Sequence, residues 1–347
     1  MKKNLNRRTF IRSSALAGMG ASLHLNNDSF FALNTPPQLN TRVGIIGVDT
    51  SHSIAFTKAL NDANANPEFG SYRIVAAYPK GSNDIESSTS RIPANTEELK
   101  KYGVRIVDSI EQLLKEVDVV MLETNDGRLH LEQALPVLKA GKRMFIDKPV
   151  AASLKDAVAI YVAAAKYKVP VFSASSLRYM RKAQEVLQGK SGRVLGADTY
   201  SPATIEKTHP DLFWYGIHGV ELLLTVMGKG CKSVVRFHTP DTDVVVGTWA
   251  DNRIGTFRGT RTGPHSYGGT VFTEKTNEPL GAYEGYNPLL TEIVKFFQSG
   301  VSPLKDEETL EIFAFMEAAE ESKRTGGRPV TLESVMKKAM KQNFARL

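Results

Sequence analysis

Short apolar runs alternate with amphipathic stretches from residue 42 to residue 172. Residues 42–47 (RVGIIG) form a compact apolar run closed by a turn signal, which predicts a buried first strand. Residues 53–60 carry Ile54, Phe56 and Ala59 near helical spacing, with Ser51 or Ser53 as cap, which predicts a helix directly after a tight turn. The alternation repeats through strand 73–78, helix 96–102, strand 104–107, helix 109–115 and strand 118–122. Residues 128–140 place Leu129, Ala134, Leu135 and Leu138 on one helical face and stop at Gly141. Strand 143–146, helix 154–166 and strand 169–172 complete the series. Strands and helices in this order predict a parallel sheet covered on both faces, with ligands at the carboxyl ends of its strands.

Beyond residue 175 the pattern changes. Residues 194–200, 233–238, 243–249, 253–258 and 266–272 are strand-like, mostly separated by Gly, Asp, Asn or Pro, and predict an antiparallel meander. Helical segments 289–298 and 308–323 precede a final RPVTL at 328–332. The predicted fold class is α/β. A Rossmann-type doubly wound parallel sheet spans residues 41–175, and a C-terminal α+β domain on an open, largely antiparallel sheet spans residues 176–347. A chain of 347 residues with 41% apolar composition has enough material for two cores.

The first 35 residues read as an address and linker rather than as fold. Asn6-Arg7-Arg8-Thr9-Phe10 precedes a small-residue apolar stretch at 15–25, which resembles a twin-arginine signal and implies export of a folded chain to the periplasm. That stretch is shorter than the roughly 20 apolar residues a bilayer span needs, so no membrane span is expected in the mature form. The formal charge is +7, but five cations (Lys2, Lys3, Arg7, Arg8, Arg12) against Asp28 place +4 in the leader and leave +3 elsewhere. That balance, without basic runs interleaved with aromatics, predicts no nucleic-acid partner. The single Cys231 excludes an internal disulfide and a cysteine-based zinc site.

Gly47-Val48-Asp49-Thr50-Ser51-His52 stands where a dinucleotide-binding turn belongs, a place where glycines let the backbone approach a diphosphate at a helix N-terminus. Only the first glycine is present; Asp49 and His52 occupy the second and third positions. The segment therefore reads either as a modified phosphate turn or as a strand-to-helix turn with Asp and Ser caps. After the second strand, Tyr78-Pro79-Lys80-Gly81-Ser82 replaces the usual ribose-binding acid. Lys80 and Ser82 suit a 2′-phosphate, favouring NADP over NAD, or form a solvated turn. Asp49, His52, Glu123 and His130 are of types that ligate Zn or Mn, but the pattern assigns no metal.

Asp147-Lys148-Pro149 ends the fifth strand. It resembles the Glu-Lys-Pro signature of the glucose-fructose oxidoreductase, inositol dehydrogenase and rhizopine catabolism (Gfo/Idh/MocA) family. The likeness extends over nearly all of the chain after residue 40, through Gly141-Lys142, Arg178, His218 with Glu221 and Leu222, and residues 322–330. It implies that Lys148 touches substrate and cofactor, with a cis peptide before Pro149. It implies that His218 is the catalytic acid/base, although Trp214 stands one helical turn earlier, where members usually carry Asp. His209, Asp211 and Glu221 are candidate replacements for that partner. The same resemblance places Gly47, Val48, Asp49, Thr50, Ser51, His52, Tyr78, Lys80, Glu123, Thr124, Asp147 and Lys148 around NAD or NADP. It places Arg178, Asp211, Trp214 and His218 around substrate. Glu123 and Asp126 depart from the small residue and Thr-Pro usual after strand four, while Arg261 and His265 read equally as substrate contacts or surface residues.

The function implied is hydride transfer between a nicotinamide and a sugar, glycoside or polyol, with His/Lys acid–base assistance. The alternative is a sugar-binding protein, or a lyase or glycosidase-like enzyme, that has lost or altered its use of nucleotide; the changed turn and Trp214 point that way. Pairing of the C-terminal sheet into a homodimer or homotetramer is implied by resemblance alone.

Overall fold

A computed structural model describes residues 41–344. The expected leader, residues 1–35, lies outside the described residues. Six strands form the first sheet: β1 (Arg42–Ile46), β2 (Arg73–Tyr78), β3 (Arg105–Ile106), β4 (Val119–Leu122), β5 (Met144–Ile146) and β6 (Val171–Phe172). Their order is β3-β2-β1-β4-β5-β6 and every pairing is parallel. The order reverses between β2-β1 and β4, which opens a crevice at the strand ends. β4 and β5 are buried at every residue, as strands covered by helices on both faces must be.

Helix α1 (Ser51–Asn61) leaves β1 through the Gly47 turn, capped by Thr50, whose Oγ1 accepts from Ser53 N–H. Between β2 and β3 the chain forms α2 (Glu86–Thr89) and α3 (Ile92–Lys101), the first of which the periodicity did not reveal. Then follow α4 (Ile110–Leu114), α5 (His130–Lys139), α6 (Leu154–Tyr167) and, after β6, α7 (Arg181–Leu187).

The second sheet holds β7 (Val194–Pro202), β8 (Cys231–His238), β9 (Thr242–Trp249), β10 (Ile254–Thr260), β11 (Gly268–Thr273), β12 (Asn277–Pro279) and β13 (Val330–Thr331). It is not the simple meander expected. β7 is central, antiparallel to β11 but parallel to β10, with Ile254 opposite Gly196. A parallel pair requires a crossover. The chain supplies one through α8 (Ile217–Met227), which lies so close on the sheet that a Cβ at Gly219 would stand 2.3 Å from the Phe257 ring.

The closing helices tie both sheets together. α9 (Asn287–Ser299) contributes Leu289, Ile293, Phe296 and Phe297 to the core cluster that holds Val43, Phe56, Phe145 and Phe172 of the first sheet. α10 (Asp306–Arg324) shares the other cluster with α6 and α8. The chain ends in α11 (Leu332–Phe344), a helix missed because seven of its thirteen residues are Glu, Lys, Ser, Gln or Asn. Among the described residues no helix is long and apolar enough to cross a membrane.

A cluster of buried charged groups lies inside the second half. The Arg236 guanidinium is fully buried and donates to Asp243 (3.0 Å), Glu320 (2.8 Å) and Asp211 (2.7 Å). Asp211, expected at the substrate, is instead committed to this cluster and to Lys323. Removing the cation would leave the buried Glu320 carboxylate uncompensated, while Asp211 and Asp243 would keep Lys323 and Arg261. Arg236→Met is therefore expected to destabilise the fold by about 3–5 kcal/mol, read as a lower denaturant midpoint; an unchanged midpoint would show that these carboxylates need no counter-charge.

Candidate active site

The crevice at the ends of β1, β2 and β4 is occupied by the chain itself. Gly47 has φ +84°, and a Cβ there would lie within 2.5 Å of Thr124, so only glycine lets the first turn pack on the loop after β4. Asp49 is fully buried. Its Oδ2 accepts from Ser82 N–H and Ser82 Oγ–H, both at 2.9 Å, and its Oδ1 accepts from Asn125 N–H at 3.0 Å. A Cβ at Gly81 would stand 2.3 Å from that carboxylate, which requires glycine there too. Residues 81–95 fold over the strand ends behind this contact. Asn125 Nδ2 donates to Ser88 Oγ (2.8 Å), Asn95 Nδ2 donates to Val48 O (2.7 Å), and Arg128 bridges Asp84 and Asp126.

An open cavity of about 820 Å³ runs from the Ser87, Arg91, Asn95 and Asn125 edge of this crevice along the start of α1 to the second half. Thr50, Ser51, His52 and Lys148 line one side; Trp214, Tyr215, His218, His265, Tyr267 and Tyr283 line the other. Lys148 and His218 thus face one pocket. The Lys148–Pro149 peptide is cis. A π-helical turn, Leu212–Gly216, precedes α8 and carries Trp214 and Tyr215 to the cavity wall. Tyr215 and Tyr267 share a 2.7 Å hydroxyl contact, and the Tyr215 ring stands 5.0 Å from the His218 ring. Aromatic faces mixed with hydroxyl groups suit a ligand that is apolar on its C–H faces and polar at its edges.

Among the described residues His218 has no carboxylate within ion-pair distance. Its Nδ1 contacts Ser175 Oγ at 2.7 Å, and the Ser175 N–H donates to Glu221 Oε2 (2.8 Å), whose other oxygen accepts from Arg178 Nε (3.0 Å). A hydroxyl serves either ring tautomer, because it can accept from Nδ1–H or donate to bare Nδ1. Nε2 is left for the pocket. Burial, reinforced by the Lys148 ammonium, pushes the His218 pKa well below the ordinary imidazole range, so the neutral ring persists at neutral pH.

Beneath Lys148, three buried donors converge. His52 Nδ1 stands 2.9 Å from Asp147 Oδ1 and 4.0 Å from Glu123 Oε2. Burial, and then the Asp147 charge, raise the Glu123 pKa well above the usual carboxylate range. Burial alone would raise Asp147 too, but the charges of His52 and Lys148 outweigh it and hold this carboxyl low.

Several expected site residues fall elsewhere. Arg178 is held by Glu221 and opens on a separate groove with Tyr179 and Gln184. Asp211 belongs to the Arg236 cluster, and Arg261 pairs with Asp243. Glu221 does not touch His218 but fixes Ser175, while His209 pairs with Asp126 at 3.2 Å. Both ring nitrogens of His130 contact carbonyls, Thr124 O and Val150 O, which removes it from any metal set. The Ser82 hydroxyl points at Asp49 rather than at a 2′-phosphate, and Tyr78 contributes its carbonyl to Gly47 N–H. Neither Tyr78 nor the exposed Lys80 borders the cavity. Ser175 and the tyrosines at 215, 267 and 283 went unnoticed; the only signal was a small polar residue ending the sixth strand and tyrosines scattered over about seventy positions.

Comparison with known proteins agrees with this architecture. Residues 41–175 match the family described as "Oxidoreductase family, NAD-binding Rossmann fold" (Gfo/Idh/MocA). A 1,5-anhydro-D-fructose reductase of Ensifer adhaerens is 34% identical over 102 residues, which are 27% of this chain and 30% of that protein. The match thus spans under a third of that relative's length. A probable dehydrogenase from Thermotoga maritima superposes with a TM-score of 0.69 at 19% identity, covering 85% of this chain and 99% of that one. The scyllo-inositol dehydrogenase of Lactobacillus casei, solved with NAD(H) and scyllo-inositol, gives 0.67 at 17% identity over 85% and 99% of the two chains. At these identities the structural likeness establishes the fold. Residues 41–175 thus match the Gfo/Idh/MocA oxidoreductase family, and the fold of the solved dehydrogenases continues through the rest of the described chain.

Proposed function

We propose that the protein is an enzyme acting on a hydroxyl-bearing carbon of a sugar, glycoside or polyol, with His218 and Lys148 as its acid–base pair. One observation carries this reading: the two side chains converge on a single aromatic- and hydroxyl-lined cavity. His218 Nε2 takes the substrate hydroxyl proton and returns it, with Ser175 adjusting to either tautomer. The Lys148 ammonium stabilises negative charge on the same oxygen. Trp214 and the tyrosines stack on the ring and shut out water. The names of the relatives, an anhydrofructose reductase and inositol dehydrogenases, support this substrate class.

Family members transfer hydride to a nicotinamide dinucleotide, whose ADP half lies across the strand ends. The residues of this chain do not fit that half as they stand. Asp49 takes the N–H groups of Ser82 and Asn125, and its buried carboxylate stands directly before the start of α1. A diphosphate at the N-terminus of α1 and this neighbouring carboxylate are both anions and would repel one another. That observation favours a second reading without net redox, in which His218 removes a proton from carbon and Lys148 protonates the oxygen that departs from the adjacent carbon, forming a C=C bond and releasing water or an alcohol. We further propose self-association through the open face of the second sheet, where Tyr200 and Ile254 stand exposed, and periplasmic export by the twin-arginine route.

The test is turnover of inositols, aldoses and glycosides followed by NMR, with and without NAD or NADP. His218→Asn is expected to lower kcat by about 10²–10⁴-fold; wild-type turnover in that variant would remove His218 from the mechanism. Because the proton-accepting ring is neutral and its pKa is depressed, activity should fall only as pH drops below the usual imidazole value of about 6.5. Lys148→Met removes one depressing cation and should move that acid limb upward; a wild-type limb at or above the ordinary value would contradict the burial argument.

A second measurement addresses the crevice. Asp49→Gly frees both amides and restores the second glycine of the phosphate turn, so NADH affinity should rise at least about tenfold over wild type, a difference of about 1.4 kcal/mol. Equal or weaker binding by the variant would show that Asp49 does not govern nucleotide access.

A further inference from the structure

The donors beneath Lys148 form a set that the acid–base reading does not use and that the family resemblance places only beside the nucleotide. Each follows the end of a different strand: His52 in the first turn of α1, Glu123 directly after β4 and Asp147 directly after β5. Glu123 is fully buried, and neither of its carboxylate oxygens has a hydrogen-bond partner. Asp147 Oδ2 likewise has no hydrogen bond, only a 3.8 Å ion-pair contact with Lys148 Nζ, while Oδ1 accepts from Lys148 N–H. His52 Nδ1 stands 2.9 Å from Asp147 Oδ1, yet the two are not aligned as a hydrogen bond. Buried carboxylates left in this state are costly unless something else meets them.

The spacing identifies what would. Ligand atoms about 2.1 Å from a metal ion lie about 3.0 Å apart when adjacent and about 4.2 Å apart when opposite. His52 Nδ1 is 2.9 Å from one carboxylate oxygen and 4.0 Å from the other, and all three donors fall within 4.8 Å of one another. Adjustments of a few tenths of an ångström bring them onto one ion. Two carboxylates balance a double positive charge, and one imidazole with two oxygens suits a borderline cation such as Mn²⁺ or Zn²⁺. The nearby Lys148 Nζ, 3.8 Å from Asp147 Oδ2, opposes a cation. It lines the cavity, however, and is free to face substrate once the ion neutralises the carboxylates.

We propose that His52, Glu123 and Asp147 bind one divalent transition-metal ion at the base of the cavity. His52, which lines the cavity, marks the side from which the ion is reached and on which its remaining positions take oxygen ligands such as water or a substrate hydroxyl. The site stands independently of the acid–base reading, since binding is measured without turnover.

The test is titration of chelator-treated protein with Mn²⁺, followed by loss of the free-ion EPR signal, and with Zn²⁺, followed by calorimetry. Stoichiometric binding is expected in wild type, weakened at least about tenfold in Glu123→Gln and in His52→Asn, with folding checked by circular dichroism. Folded wild type that leaves the Mn²⁺ signal unchanged and takes up no stoichiometric Zn²⁺ would overturn the proposal. So would full-affinity binding in both folded variants. If either variant does not fold, the wild-type titration decides alone.

Discussion

The Asp49 carboxylate, held by two amides and a hydroxyl at the ends of the first sheet, is the contact on which the site's layout depends. Charge-assisted hydrogen bonds of this kind are worth roughly 1.5–3 kcal/mol each. Their donors come from the loops after β2 and β4, so one side chain ties three strand ends together. In doing so it acts as a built-in anion where the fold ordinarily receives a bound one. Residues 81–88 can lie down over the crevice only because that anion is there to receive Ser82, and Gly81 is the residue that lets them approach.

The cavity runs from these strand ends along the start of α1 to the wall offered by the second half. The halves are interlocked there by α9, whose phenylalanines sit on the first sheet, and by the loop that brings His209 to Asp126. This interlocking fixes the separation of Lys148 and His218, which come from opposite halves. The Arg178–Glu221–Ser175 chain then sets the His218 ring without a carboxylate at its own nitrogen. A hydroxyl partner and a buried site together keep the ring neutral, whereas a carboxylate partner would favour the imidazolium.

Much of this was legible in the residues because buried parallel strands write themselves as unbroken apolar runs. RVGIIG, VVML and MFI are such runs, and the Asp147-Lys148-Pro149 signature follows the last of them. The place of β7 between β10 and β11 was not legible, since strand pairing across about sixty residues leaves no local mark. Arg178 and Asp211 were misassigned for a related reason. A charged residue near a catalytic motif looks available until its partner is known, and their partners lie 43 and 25 residues away, at Glu221 and Arg236. Asp49 was recognisable as a departure from the glycine pattern. That its carboxylate would find Ser82 and Asn125 depended on two loops the pattern does not describe.

Hydrogen exchange at the Ser82 and Asn125 amides measures this contact directly. If Asp49 serves as the resident anion, both amides are protected in the nucleotide-free protein to a degree comparable with the neighbouring strands, and saturating NADH leaves them unchanged. Rapid exchange in the free protein that slows when NADH is added would show an open cradle awaiting its diphosphate, and would contradict the account.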